Sequence, residues 1–147
     1  MKIYIASSWK NQHGVEMLTT LLRDREYEVV SWIENNFEEG YFKFKKEFSF
    51  EEWMHTESAK KAFDFDTLGA IRSDVVIYYG PAGKDACMEV GAAWASQVPI
   101  IGLYAKGEDL GLMRKMMYCW VNNYLEVLDE LEKMKNKSTE QNDDLPF

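Results

Sequence analysis

Glu89 stands in Cys87-Met88-Glu89-Val90-Gly91-Ala92-Ala93, among apolar and small residues where a solvated helix face would carry more charge. A carboxylate so placed near a helix start has little water competing for it, and its ordinary alternative role is to complement the helix dipole. Asp66, in Phe63-Asp64-Phe65-Asp66-Thr67-Leu68-Gly69-Ala70-Ile71, is the second candidate. The segment bearing Asp66 leads into the apolar run Asp74-Val75-Val76-Ile77-Tyr78-Tyr79, and the segment bearing Glu89 leaves it. Two carboxylates around one strand end are what a retaining glycosyl transfer requires. One attacks the anomeric carbon and the other handles the proton or orients the sugar hydroxyls, at a separation of about 5 Å.

Between that strand and Glu89 lies Gly80-Pro81-Ala82-Gly83-Lys84-Asp85. A Walker A loop needs four residues between its glycines and Ser or Thr after the Lys. Here there are two, and Asp85 follows; no G-x-G-x-x-G fingerprint occurs either. What remains is a glycine-bearing turn that brings backbone N–H groups and Lys84 to a helix N-terminus, an arrangement that suits an anionic group. Asp85 reads as the N-cap of that helix. Cys87 and Cys119 lie far apart with no C-x-x-C spacing, and His13 and His55 fall in no metal-ligand pattern, so neither a metal nor a disulfide framework is expected. Buried, inert thiols are the ordinary reading of the two cysteines, with a Cys–His nucleophilic pair the alternative.

The elements that must position these groups follow from periodicity. Lys2–Ala6 reads as a short buried strand that stops at Ser7-Ser8, apolar residues recur at helical spacing from Asn11 to Arg25, and 27–32 alternates as a second strand. From Phe37 to Phe65, nine aromatic residues are interleaved with charges. That stretch reads as a long connection with a short helix near Phe50–His55 and a longer one near Ser58–Ile71, its aromatics either lining a ligand site or packing a lid or dimer face. The run 74–79 is a central parallel strand, 85–96 a helix, 99–104 another buried strand, and 122–135 an amphipathic helix. Residues 136–147 are polar and expected to fray, leaving one domain over 1–135. The expected fold is a Rossmann-like (flavodoxin-like) three-layer α/β/α sandwich with a mostly parallel sheet of about five strands. In such a sheet ligands bind at the carboxyl ends of the strands, where Ser7-Ser8-Trp9, Gly80–Lys84 and Ala105-Lys106-Gly107 would meet.

The chain has 147 residues, 46% of them hydrophobic, enough for one domain with a real core. Its net charge of −8 would repel a phosphate backbone and a polyanionic membrane surface, so neither a nucleic-acid polymer nor a membrane is an expected partner. No apolar run approaches the roughly 20 residues of a membrane span, and the opening residues lack the stretch of a signal peptide. A cytoplasmic location is expected.

At these residues the sequence resembles the nucleoside 2-deoxyribosyltransferase superfamily, which also contains nucleotide N-glycoside hydrolases. The resemblance runs from Met1 to about Leu131. It rests on Ile3-Tyr4-Ile5-Ala6 in an opening strand I-Y-[LV]-A and on Asp66 on the helix before the central strand. Ser73-Asp74-Val75-Val76 opens that strand, and Glu89-Val90-Gly91-Ala92-Ala93 falls in a stretch E-x-G-x-A. Ala6-Ser7-Ser8-Trp9-Lys10-Asn11 and Pro81-Ala82-Gly83-Lys84-Asp85-Ala86-Cys87-Met88-Glu89 look like a bacterial and phage branch with A-S-S-W-[RK]-N and P-C-G-[RK]-S-A-x-x-E. The resemblance implies Glu89 as nucleophile, Asp66 in proton transfer and sugar binding, and Tyr4 positioning the Glu. It implies no cofactor, a small-molecule nucleoside or nucleotide as partner, and a homodimer or higher homo-oligomer in which Asn122 and Asn123 complete a neighbouring site. Ser7, Ser8, Trp9, Gly80, Gly83, Lys84 and Asp85 are the expected substrate-binding residues. Asp85 departs from the pattern, since the similar branch carries Ser there, which weighs against a monophosphate substrate. A non-catalytic nucleotide-binding or sensing module on the same fold is the alternative.

Overall fold

The structure, a computed structural model, describes residues 1–38, 49–109 and 111–143. Strand β1 (Lys2–Ala6) leads through a 3-10 turn (Trp9–Asn11) into α1 (Gln12–Asp24) and back to β2 (Glu28–Val30). Helices α2 (Trp32–Glu38), α3 (Phe50–Met54) and α4 (Glu57–Arg72) precede the central strand β3 (Val75–Tyr79). Then come α5 (Lys84–Ala95), β4 (Ile100–Leu103), a 3-10 turn (Leu112–Met116), β5 (Cys119–Val121) and α6 (Tyr124–Asp143). The sheet is parallel throughout, in the order β2-β1-β3-β4-β5. This is the flavodoxin-like order, whose switch point lies between β1 and β3.

The strands form where β-branched and apolar residues run without interruption, and both of their faces are covered. Ile3, Ile5, Val75, Val76, Ile77, Ile100 and Ile101 are all buried in one core. Helices α4 and α5 pack against each other and both reach β1; α1 lies on β2, and α6 on β4 and β5. Helix α4 starts where Thr56 Oγ1 accepts the Ala59 N–H at 3.2 Å and ends where the Ser73 hydroxyl turns back to donate to the Gly69 carbonyl at 2.6 Å. Gly69 is where α4 meets the sheet: a Cβ there would lie 2.6 Å from Cδ2 of the Tyr4 ring. The missing side chain lets the helix close down on β1.

Several elements differ from expectation. The second strand is shorter than 27–32 because the Ser31 hydroxyl caps a helix, accepting the Glu34 N–H at 3.2 Å, and Trp32 opens α2 with its indole N–H donated to the Ile5 carbonyl at 2.7 Å. The fifth strand, unlocated by periodicity, is the three-residue edge strand Cys119–Val121. Helix α5 starts one position earlier than read: Gly83 is the N-cap, so Asp85 is a first-turn residue and not the cap. Helix α6 runs beyond Lys135 to Asp143, through residues expected to fray. The Thr139 hydroxyl bonds back to the Lys135 carbonyl at 3.0 Å along it. Of the aromatic-rich connection, Tyr41, Phe42, Phe44 and Phe48 lie outside the described residues, as do 144–147 of the polar tail. Among the described residues no helix is long and apolar enough to cross a membrane.

Candidate active site

Tyr4 lies in the middle of β1, opposite Val76 of β3, fully buried beneath α4 and α5. Asp66 enters from α4 and Glu89 from α5, both half-buried, so residues distant in sequence gather around one phenol. Burial drives the Tyr4 hydroxyl well above its usual pKa, and the charges of Glu89 and then Asp66 add to the rise. The hydroxyl nevertheless makes no fully aligned hydrogen bond, and Oδ1 of Asp66 is equally buried without a partner. Tyr4 therefore touches both acids loosely, as groups do in a site whose hydrogen bonds tighten only around a bound substrate.

The two carboxyls are held in their neutral range. Loss of water pushes Glu89 up to about 8, with the charge of Asp66 second, the Tyr4 hydroxyl opposing the rise and Asp85 adding to it. Asp66 is pushed up to about 7 by loss of water and then by Asp85, again against Tyr4. Two like charges in one low-dielectric space cannot both ionise cheaply, so the pair titrates as a unit and holds a proton at neutral pH. Such a pair contains one acid and one base at once.

The loops at the carboxyl edge of the sheet are tied to one another. The Ser7 hydroxyl donates to the Tyr79 carbonyl at 2.8 Å, and the Asn11 side-chain amide donates to Ser7 Oγ at 3.1 Å and to the Pro81 carbonyl at 2.7 Å. Ser7 thus joins β1 to the end of β3, and Asn11 clamps the turn that carries Gly80 and Gly83. Ser8 caps the 3-10 turn, accepting the Lys10 N–H at 3.2 Å. Trp9 sets its ring edge-to-face on Trp32, with centroids 4.7 Å apart. Lys84 and Asp85 are exposed in the first turn of α5.

Asn122 and Asn123 also sit at the carboxyl edge, but after β5, two strands from β3. The Asn123 side chain and the Asn122 backbone are engaged locally: Asn123 Oδ1 accepts the Glu126 N–H at 3.0 Å, and the Glu126 carboxylate accepts the Asn122 backbone N–H at 2.9 Å. Within one chain they belong to the start of α6 and not to the carboxylate cluster. Asn11 is the residue that site reasoning passed over, although it closes the Ala6–Asn11 stretch. An Asn three residues after a strand-ending Ser-Ser pair was the available signal.

No protein-family model and no curated protein sequence matches this chain. Solved structures do. A 2-deoxyribosyltransferase from the psychrotolerant bacterium Bacillus psychrosaccharolyticus superposes with a TM-score of 0.68 at 22% identity, over 86% of this chain and 90% of the other. The fold is that of the nucleoside 2-deoxyribosyltransferases. A CMP N-glycosidase from Clostridium botulinum shares it, with a TM-score of 0.57 at 17% identity over 90% of this chain and 99% of the other. The deoxyribosyltransferase-like fold thus spans nearly the whole described chain, in accord with the motifs that resemble that superfamily.

Proposed function

We propose that this protein cleaves or exchanges the N-glycosidic bond of a nucleoside or nucleotide. The observation that carries the reading is the meeting of Asp66 and Glu89 around buried Tyr4, both acids lifted towards neutrality with no basic side chain among the groups that shift them. A buried pair of this kind costs stability, and a shared proton is what it supplies in return. The related folds include proteins described as a 2-deoxyribosyltransferase and a CMP N-glycosidase.

On this mechanism an ionised Glu89 oxygen attacks C1′ and forms a C1′–O ester bond as the C1′–N bond breaks. The electron pair of that bond stays on the leaving base nitrogen, which takes the proton held by Asp66. Water or a second base then attacks C1′ while giving its proton to the Asp66 carboxylate, and the C1′–O bond breaks with its electron pair returning to Glu89. The pair holds one proton between its two carboxyls, and the reaction runs from the arrangement in which Asp66 carries it and Glu89 is ionised, while the Tyr4 hydroxyl stabilises the anionic form of either acid. Ser7, Ser8, Trp9, Gly80, Gly83 and Lys84 frame the substrate in this reading, with Asn122 and Asn123 supplied by a second copy. Asp85 makes the mouth anionic, which favours a neutral nucleoside over a 5′-monophosphate.

The test is incubation with a panel of nucleosides and 5′-monophosphates, followed by chromatography for free or exchanged base. Release by the native protein and its loss in Glu89→Ala support the proposal. Tight binding without turnover points instead to a nucleotide-binding module, and turnover that survives Glu89→Ala rejects the mechanism.

A further inference from the structure

The turn Gly80–Gly83 aims helix α5, and therefore Glu89. Asn11 holds that turn from the β1 side. On the β4 side the Glu108 side chain occupies the corresponding place, in a loop that the proposed chemistry does not use. The Tyr78 hydroxyl donates to Glu108 Oε1 at 2.5 Å, and the Ala105 N–H donates to Oε2 at 3.1 Å. The same Tyr78 hydroxyl accepts the Ala82 N–H at 3.3 Å. The Gly80 N–H donates to the Leu103 carbonyl at 2.9 Å, and Gly80 leaves no room for a Cβ because the Glu108 carboxylate lies against it.

We propose that Glu108 is a positioning residue, a strut that fixes the β4 loop to the turn before α5 through Tyr78 and so holds Glu89 in register with Asp66. It rests on the proposed function only in naming Glu89 as the group that benefits. Three features point to a built strut. Both carboxylate oxygens are used, which defines the side chain's orientation as one bond would not. Tyr78 is 6% exposed, and its ring leans on Tyr104 with centroids 5.5 Å apart, so the phenol cannot swing to another acceptor. Burial, with Glu108 next, pushes the Tyr78 hydroxyl far above its usual pKa, so it remains an O–H donor at any working pH. The charge of Glu108 is also felt on α5, where the Cys87 thiol is raised first by burial and then by this carboxylate.

The test compares Glu108→Ala, Glu108→Gln, Tyr78→Phe and the double variant Tyr78→Phe/Glu108→Ala by amide hydrogen exchange at Ala82 and Ala105 and by steady-state kinetics. Glu108→Ala is expected to speed exchange at Ala82 about tenfold. It should lower kcat by about tenfold with KM changed less, because a displaced nucleophile affects chemistry more than binding. Glu108→Gln keeps an acceptor for the Tyr78 O–H and should recover most of both. The double variant should be no worse than the poorer single one. Unchanged exchange at Ala82 in both Glu108 variants, or additive losses in the double variant, would overturn the strut. If the native protein turns over no nucleoside, the proposed function fails, whereas exchange at Ala82 still decides the strut on its own.

Discussion

Helix α4 carries two aspartates two positions apart that live in opposite worlds. Asp64 faces solvent and accepts from Lys60 Nζ at 2.6 Å, one turn away on the same helix. Asp66 faces Tyr4 and Glu89, half-buried, with its Oδ1 unpartnered and its pKa pushed up to about 7. The exposed pair follows the usual treatment of surface charge, a cation nearby and water around both, and such pairs contribute little. The inward pair breaks that rule. A carboxylate without a cation inside a protein is tolerated only where something else requires it. The contrast isolates function from stability on one helix, since sequence neighbours with the same side chain answer to different constraints.

The comparison predicts where substitutions hurt. The largest effect belongs to Glu89→Gln, which keeps the shape and removes the proposed nucleophile. If the proposed reaction is right, kcat/KM should fall by at least about a thousandfold, while circular dichroism shows an intact fold.

A second prediction concerns pH. Asp66 and Glu89 are both raised in the folded state above their ordinary values of 3.8 and 4.5. The folded protein therefore holds these protons longer than the unfolded chain. Their contribution to stability is complete below about pH 4 and is lost as pH rises towards 8, by up to a few kcal/mol across the window. Denaturant titrations from pH 4 to 8.5 should show this decline. Asp66→Asn should flatten it and lower the titration midpoint of Glu89, because a like charge is gone. A slope unchanged by Asp66→Asn would dissolve the idea of a coupled pair.

Gly69→Ala comes next. Its new Cβ would collide with the Tyr4 ring, and α4 or the ring must move, at a cost of about 1–3 kcal/mol. Activity should fall with it, because the phenol between the acids is displaced. The smallest effect is expected on the solvent face: Lys60→Ala should change stability by less than about 1 kcal/mol and leave turnover unaltered, measured by thermal melts and by the same base-release assay.

The part of the molecule legible in the sequence is the part governed by apolar runs. Residues 75–78 and Ile100–Leu103 are buried on both faces, so their sequence runs without a charged residue. Placing Asp66 before and Glu89 after the central strand then sufficed to bring them together. Less legible were elements whose identity depends on one tertiary contact. Trp32 continues an alternating strand pattern, yet its indole seeks the Ile5 carbonyl and the Ser31 hydroxyl caps a helix beneath it. Cys119–Val121 is too short for periodicity and has a partner on one side only, with Trp120 half-exposed under the Arg114 guanidinium, 4.0 Å from the ring centroid. Gly83 and not Asp85 caps α5, and Asp85 resembles a cap because acidic residues suit the whole first turn of a helix. Asn11 holds a backbone carbonyl and Glu108 a phenol hydroxyl, each far along the chain, and no local pattern announces such bonds.

The central claim is a double displacement at C1′ through Glu89, and the configuration of the first product tests it most directly. Reaction of a β-nucleoside in dilute methanol, followed by proton NMR of the methyl glycoside as it forms, reads out that configuration. Two successive inversions predict the β-methyl glycoside, formed by the native protein and not by Glu89→Gln. An α-methyl glycoside as the first product would mean a single direct displacement, with Glu89 activating the acceptor and never bonded to the sugar, and would contradict the account.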